Sequence, residues 1–117
     1  MKCLFCYQEL HDGEQHYHAA CAKRFFGSPV IPSMPYSQAD IRELAKQVVR
    51  SHTTVTGVQA KLSMDIERTN QISRLTIVDQ GGKYILKPQT PQYPYLPEIE
   101  DLTMHLAQSV KIDVVPH

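Results

Sequence analysis

A chain of 117 residues, 42% hydrophobic and 21% charged, is long enough for one domain or for one small domain with an appendage, and too apolar for a disordered chain. Its basic and acidic side chains cancel to a net charge of zero, with a pI near 7.0, which gives no support for direct nucleic-acid binding or a membrane-surface role. No apolar run approaches the roughly 20 residues that span a bilayer, and Met1-Lys2-Cys3-Leu4-Phe5-Cys6 is not a secretory leader, so a cytoplasmic protein is expected.

All three cysteines fall early, an odd number that argues against a disulfide framework. Cys3 and Cys6 form C-x-x-C, and His18 and Cys21 form H-x-x-C. A two-residue gap lets both members of a pair reach one ion, and the second pair completes a tetrahedron after a short loop. Asp12-Gly13-Glu14 reads as the turn between them. Three thiolates and one imidazole suit zinc, and four protein ligands leave no open position, so the expected role is structural. A segment this short buries too little surface to fold unaided, and a metal supplies what is missing. Two other readings stand beside this one: reduced core cysteines, or a redox pair at Cys3 and Cys6. His11 and His16 lie close by, and His18 is preferred for its spacing to Cys21. A short helix is predicted over 19–26, stopped by Gly27. The expected organisation is a knuckle-like subdomain over 1–27, a Pro-rich linker over 28–36 and a main body over 37–117.

The main body opens on Ser37-Gln38-Ala39-Asp40, a hydroxyl followed three residues later by an acid, which marks a helix start. Ile41, Leu44, Ala45, Val48 and Val49 repeat at helical spacing and predict a helix over 38–51. Thr53-Thr54-Val55-Thr56-Gly57-Val58-Gln59-Ala60-Lys61 follows. Its hydroxyls, its glycine and its lysine are what a phosphate-binding loop needs, although a plain polar connection has the same composition. Strands are predicted over 61–66, 72–78 and 83–87, joined by 67–71 and by the turn Asp79-Gln80-Gly81-Gly82, as an antiparallel meander. A Pro/Tyr-rich stretch over 88–97 leads to a helix from Pro97, with Ile99, Leu102, Leu106, Ala107 and Val110 as its buried stripe. Ile112 to Val115 reads as the beginning of a further strand, in a sequence expected to be incomplete. The fold class is therefore α+β: a Cys/His knuckle, then an antiparallel meander flanked by two helices.

A Gly-bearing hydroxyl loop, a strand, a second strand ending in lysine and a helix carrying glutamate follow the order of a protein-kinase small lobe. There a strand lysine contacts nucleotide phosphates and a helix glutamate holds it by an ion pair. Thr54 to Lys61, Tyr84-Ile85-Leu86-Lys87-Pro88, Glu98-Ile99-Glu100 with Leu106-Ala107, and Ile112 to Pro116 resemble the corresponding segments of HipA-like serine/threonine kinases, the toxins of bacterial toxin–antitoxin modules. The Cys/His opening resembles that of one branch of the family.

The resemblance implies an ATP site in which Val55, Thr56, Gly57 and Val58 approach the phosphates, Lys87 contacts them and Glu100 holds Lys87. It implies autophosphorylation at Thr54 or Thr56, where a phosphate of about −2 charge would push the loop away from the nucleotide. ATP and Mg²⁺ would be used only with a large carboxy-terminal lobe that carries the catalytic and metal-binding aspartates, so no catalysis is expected from this chain alone. The implied partner is a HipB-like antitoxin or a small companion subunit. An apolar face left for the large lobe could instead be covered in a homodimer. A zinc-dependent protein-interaction module, using the knuckle and the Pro/Tyr loop, is the competing function.

Overall fold

The computed structural model describes residues 1–51, 61–78 and 81–117. Thr54, Val55, Thr56, Gly57, Val58 and the rest of the expected phosphate loop up to Ala60 lie outside the described residues, as do Asp79 and Gln80 of the second expected turn. The chain divides into two units, one formed by Met1–Ser33, Ile66–Arg74 and Val115–His117, the other by Met34–Asp65 and Leu75–Val114.

In the first unit an antiparallel bridge between Lys2 and Glu9 closes a tight turn around Cys3 and Cys6. The helix α1 (Ala19–Phe26) has the expected bounds. It ends where Gly27 takes a left-handed conformation (φ 79°) and donates its N–H to the Lys23 carbonyl at 2.9 Å, a geometry that costs a glycine little. The helix buries Cys21, Ala22 and Phe26. Phe26 packs edge-on against Tyr17 and Phe25, at centroid distances of 5.5 and 4.9 Å. The tip of a hairpin belongs to the same unit. Arg68 donates from Nη2 to the Phe26 carbonyl at 2.6 Å, and the Ser33 N–H donates to the Ser73 carbonyl at 3.0 Å.

That hairpin pairs β1 (Leu62–Thr69) with β2 (Ile72–Ile77). Asn70 and Gln71 both have positive φ (48° and 65°), as a two-residue hairpin turn of the primed type requires. Because the turn needs only these residues, β1 runs on through the stretch expected to be a loop.

In the second unit β1 pairs antiparallel with β3 (Tyr84–Leu86), Leu62 opposite Leu86 and Met64 opposite Tyr84. The class is α+β with a three-stranded antiparallel sheet, as the sequence indicates, but the strand order is β2-β1-β3 and the strands do not form a consecutive meander. The reason lies in β1. Leu62 and Met64 are its buried residues, with at most 2% exposure, and the strand that carries them takes the position flanked on both sides. The segment after β2 is fastened to β1 at Ser63, whose carbonyl accepts from the Val78 N–H (3.0 Å) and whose Oγ accepts from the Gly82 N–H (2.9 Å).

The helix α2 (Gln38–Ser51) starts with a reciprocal cap. Ser37 Oγ accepts from the Asp40 N–H at 3.1 Å, and Asp40 Oδ2 accepts from the Ser37 N–H at 2.9 Å. Ile41 and Ala45 are buried, while the side chains of Val48 and Val49 lie outside the described set.

The helix α3 (Leu96–Ser109) departs from expectation in its orientation. Its half-buried positions are Leu96, Pro97, Glu100, Asp101, Met104, His105 and Ala107, whereas Ile99, Leu102, Leu106 and Val110 are each more than half exposed. Of the expected stripe, Ala107 alone is partly covered among the described residues, and Glu100 lies on the more covered side of the helix. The helix ends in a left-handed Lys111 (φ 65°), with the Ile112 N–H bonded to the Ala107 carbonyl (3.0 Å) and the Lys111 N–H to the Gln108 carbonyl (3.0 Å). This closure uses Ile112, and no strand forms over 112–115. No helix among the described residues is long and apolar enough to cross a membrane.

Two measurements check this packing. A Cβ on Gly82 would lie 2.3 Å from the Met64 carbonyl oxygen, so Gly82→Ala should destabilise the chain by about 1–3 kcal/mol in urea unfolding. Hydrogen bonds from Ser37 hold the Asp40 carboxyl below its usual range. A group whose folded value is depressed stabilises above its unfolded value, about 3.9, and that stabilisation is lost as pH falls through the folded value. Amide protection at the start of α2 should accordingly fall below about pH 4, and Asp40→Asn should remove that step.

Candidate functional site

Among the described residues, each unit brings together polar side chains that the sequence singles out. In the first, Cys3, Cys6, His18 and Cys21 bring one donor atom apiece to within 4.8 Å of one another. The turn around Cys3 and Cys6 is set by the Tyr7 N–H bonded to the Cys3 carbonyl (2.9 Å) and the Cys3 N–H bonded to the Gln8 carbonyl (2.8 Å). His18 immediately precedes α1 and Cys21 lies in its first turn, which places both on one side of the helix start. His18 Nδ1 lies 3.4 Å from Cys6 Sγ and 3.7 Å from Cys21 Sγ.

The electrostatics suit a cation. Burial pushes the Cys3 thiol up, but backbone N–H groups of Cys6, His18 and Phe5 aimed at its sulfur outweigh that and bring it down to about 6. These N–H groups favour the thiolate form of Cys3. Burial and the neighbouring sulfurs of Cys6 and Cys3 push Cys21 up to about 12, so ionisation of Cys21 is resisted in the bare protein. A divalent cation removes that resistance, because coordination favours the deprotonated thiol. The donor set therefore fits a metal such as zinc.

Two further groups face His18. Its Nε2 lies 2.8 Å from the Glu9 carbonyl oxygen and 3.9 Å from Glu14 Oε2. The hydrogen bond to Glu9 raises the His18 value, burial opposes it, and the charges of Cys3 and Glu14 add to the rise. Glu14 is fixed in turn by the N–H groups of His11 (3.1 Å) and Ala19 (3.3 Å), and its carboxyl is held low chiefly by the first of these. Sequence spacing points to the cysteines and His18. It carries no sign of the Glu9 carbonyl, and Glu14 looks like an ordinary turn residue.

In the second unit, Lys87 follows the last residue of β3, and its Nζ pairs with Glu100 Oε1 on α3. Both side chains are about one-third exposed, so the pair contributes at most ~1 kcal/mol to folding, and its significance is where it puts an ammonium group. Glu98 is occupied elsewhere, accepting from Gln89 Nε2 at 2.6 and 2.7 Å. Of the two glutamates that the sequence offers, Glu100 is thus the one brought to Lys87. Gln89 gives no sequence signal, being one polar residue in a proline-rich stretch. Thr54, Val55, Thr56, Gly57 and Val58 lie outside the described residues.

Over 83 residues the chain is 32% identical to a Haemophilus influenzae protein that carries the name "Putative kinase". The match covers 71% of this chain and 23% of that protein, so the chain spans about a quarter of the relative's length. No protein-family model matches the chain.

The metal reading makes a direct prediction. The purified chain should hold one Zn²⁺, counted by elemental analysis, and Cys21→Ser should abolish stoichiometric binding. Removal of the metal by a chelator should collapse amide protection in α1 and leave the Lys87–Glu100 region as measurable as before.

Proposed function

We propose that residues 37–117 are the amino-terminal, nucleotide-binding lobe of a HipA-like serine/threonine kinase of a toxin–antitoxin system, with a structural zinc ion in the Cys3/Cys6/His18/Cys21 centre. The observation that carries this reading is the Lys87–Glu100 pair. A lysine at the end of a sheet strand, held by a helix glutamate, presents a fixed positive charge to nucleotide phosphates. The similarity to a protein named as a kinase supports the same class.

In this reading Val55 to Val58, with Gly57 allowing close backbone approach, cover the phosphates, and Thr54 or Thr56 is the site of self-modification. A phosphate there would repel the nucleotide's own and open the loop. Phosphoryl transfer also needs a catalytic base and Mg²⁺ ligands. These belong to a large lobe, and the chain alone transfers nothing. A HipB-like antitoxin or a small companion subunit is the partner.

Titration of the ¹⁵N-labelled chain with ATP should shift amides around Lys87 and the 53–61 segment. Lys87→Met should weaken that binding at least tenfold, since a charge-assisted contact to phosphate is worth about 1.5–3 kcal/mol, while Glu98→Gln should leave it unchanged. Equal ATP binding by the parent and Lys87→Met would overturn the assignment. Because both side chains of the ion pair are about one-third exposed and the pair contributes little to folding, the substitution should leave the chain folded.

A further inference from the structure

The pattern of cysteines and histidine does not say which ring nitrogen of His18 faces a metal, and the structure does. Nδ1 points to the sulfurs of Cys6 (3.4 Å) and Cys21 (3.7 Å), and Nε2 points the other way, to the Glu9 carbonyl oxygen at 2.8 Å. A carbonyl oxygen has no proton to give, so in the neutral ring the hydrogen must sit on Nε2. The lone pair is then on Nδ1, the nitrogen that faces the thiols.

We propose that His18 is an Nδ1 ligand, locked in that tautomer by the Glu9 carbonyl, and that the centre is completed by the sulfurs of Cys3, Cys6 and Cys21. This deepens the metal-centre reading and rests on it.

The distances support the assignment independently of the hydrogen bond. With metal–sulfur bonds of about 2.3 Å and a metal–nitrogen bond of about 2.0 Å, the sulfur–nitrogen edge of a regular tetrahedron is about 3.5 Å. The two sulfur–Nδ1 separations bracket that value.

The acceptor is not a chance neighbour. Glu9 is fixed by its antiparallel bridge to Lys2, and the next residue, Leu10, donates its N–H to the Met1 carbonyl at 2.9 Å. The bridged turn that presents Cys3 and Cys6 therefore also presents the oxygen that orients the His18 ring. Partners of this kind fix ring orientation and raise the basicity of a ligand histidine. The Glu14 carboxylate on the same side of the ring reinforces the polarity of the Nε2–H. His11 is engaged differently, with Nδ1 turned to Glu14 Oε2 at 3.2 Å.

The test is spectroscopic. The ¹⁵N-labelled chain is loaded with ¹¹³Cd²⁺, which takes the same sulfur and nitrogen donors, and the histidine rings are observed by long-range ¹H–¹⁵N correlation. One ring should show a protonated Nε2 and an Nδ1 split by the cadmium nucleus. The signal should persist in His11→Gln and His16→Gln. It should vanish in His18→Cys, which retains four donors and still binds the metal. Splitting at Nε2, or on the ring of His11 or His16, would overturn the ligand assignment and leave the metal centre standing. Failure of the parent chain to bind cadmium at one equivalent would instead overturn the centre, and this inference with it.

Discussion

The burial of Leu62 and Met64 in β1 sets the rest of the structure. These are the two largest fully buried side chains among the described residues, and their strand is hydrogen-bonded on both edges. Burying them fixes the register, since a one-residue slip would turn both toward water. That register puts Leu62 opposite Leu86, so Lys87 emerges where the β1–β3 ladder ends. It also brings Ser63 to both ends of the segment that leaves β2, and it makes Gly82 the residue able to pass the Met64 carbonyl. The position of the candidate phosphate-facing lysine is therefore a consequence of packing on another strand.

The first unit meets a different constraint. Its interior is built around Cys3, Cys21, Ala22 and Phe26, so much of what is enclosed is sulfur. Thiolates packed this closely repel one another. A cation bound among them would turn that repulsion into attraction. The same unit holds an aromatic set, with Phe5 and Tyr17 packed on Phe25 and Phe26 and Arg24 lying 5.5 Å from the Phe5 centroid.

What could be read from the sequence depended on whether the determinant was local. The helices over 19–26 and 38–51, the Ser37–Asp40 cap and the C-x-x-C and H-x-x-C pairs of the Cys/His cluster all rest on residues a few positions apart, and the structure has both helices, the cap and the cluster. Strand order was not legible, because a hairpin and a crossover can have connections of the same length. The facing of α3 was not legible either. Its apolar stripe has helical spacing, but Glu100, on the more covered side, pairs with Lys87 thirteen residues earlier. The closure at Lys111 was hidden because a lysine occupies the left-handed position usually given to glycine. The Glu9 carbonyl was invisible for a more basic reason: backbone acceptors are the same at every residue.

The hairpin tip has a consequence for how the first unit is made. All four candidate ligands are synthesised by residue 21, but Phe26 finds Arg68, and Ser33 finds Ser73, across gaps of 42 and 40 residues. At translation rates of about 5–20 residues per second, roughly 2–8 seconds pass between the appearance of each partner and its mate. During that interval the sulfur cluster must be protected by the amino-terminal segment alone. A metal captured early would hold α1 in place while the ribosome completes the strands that cover its end.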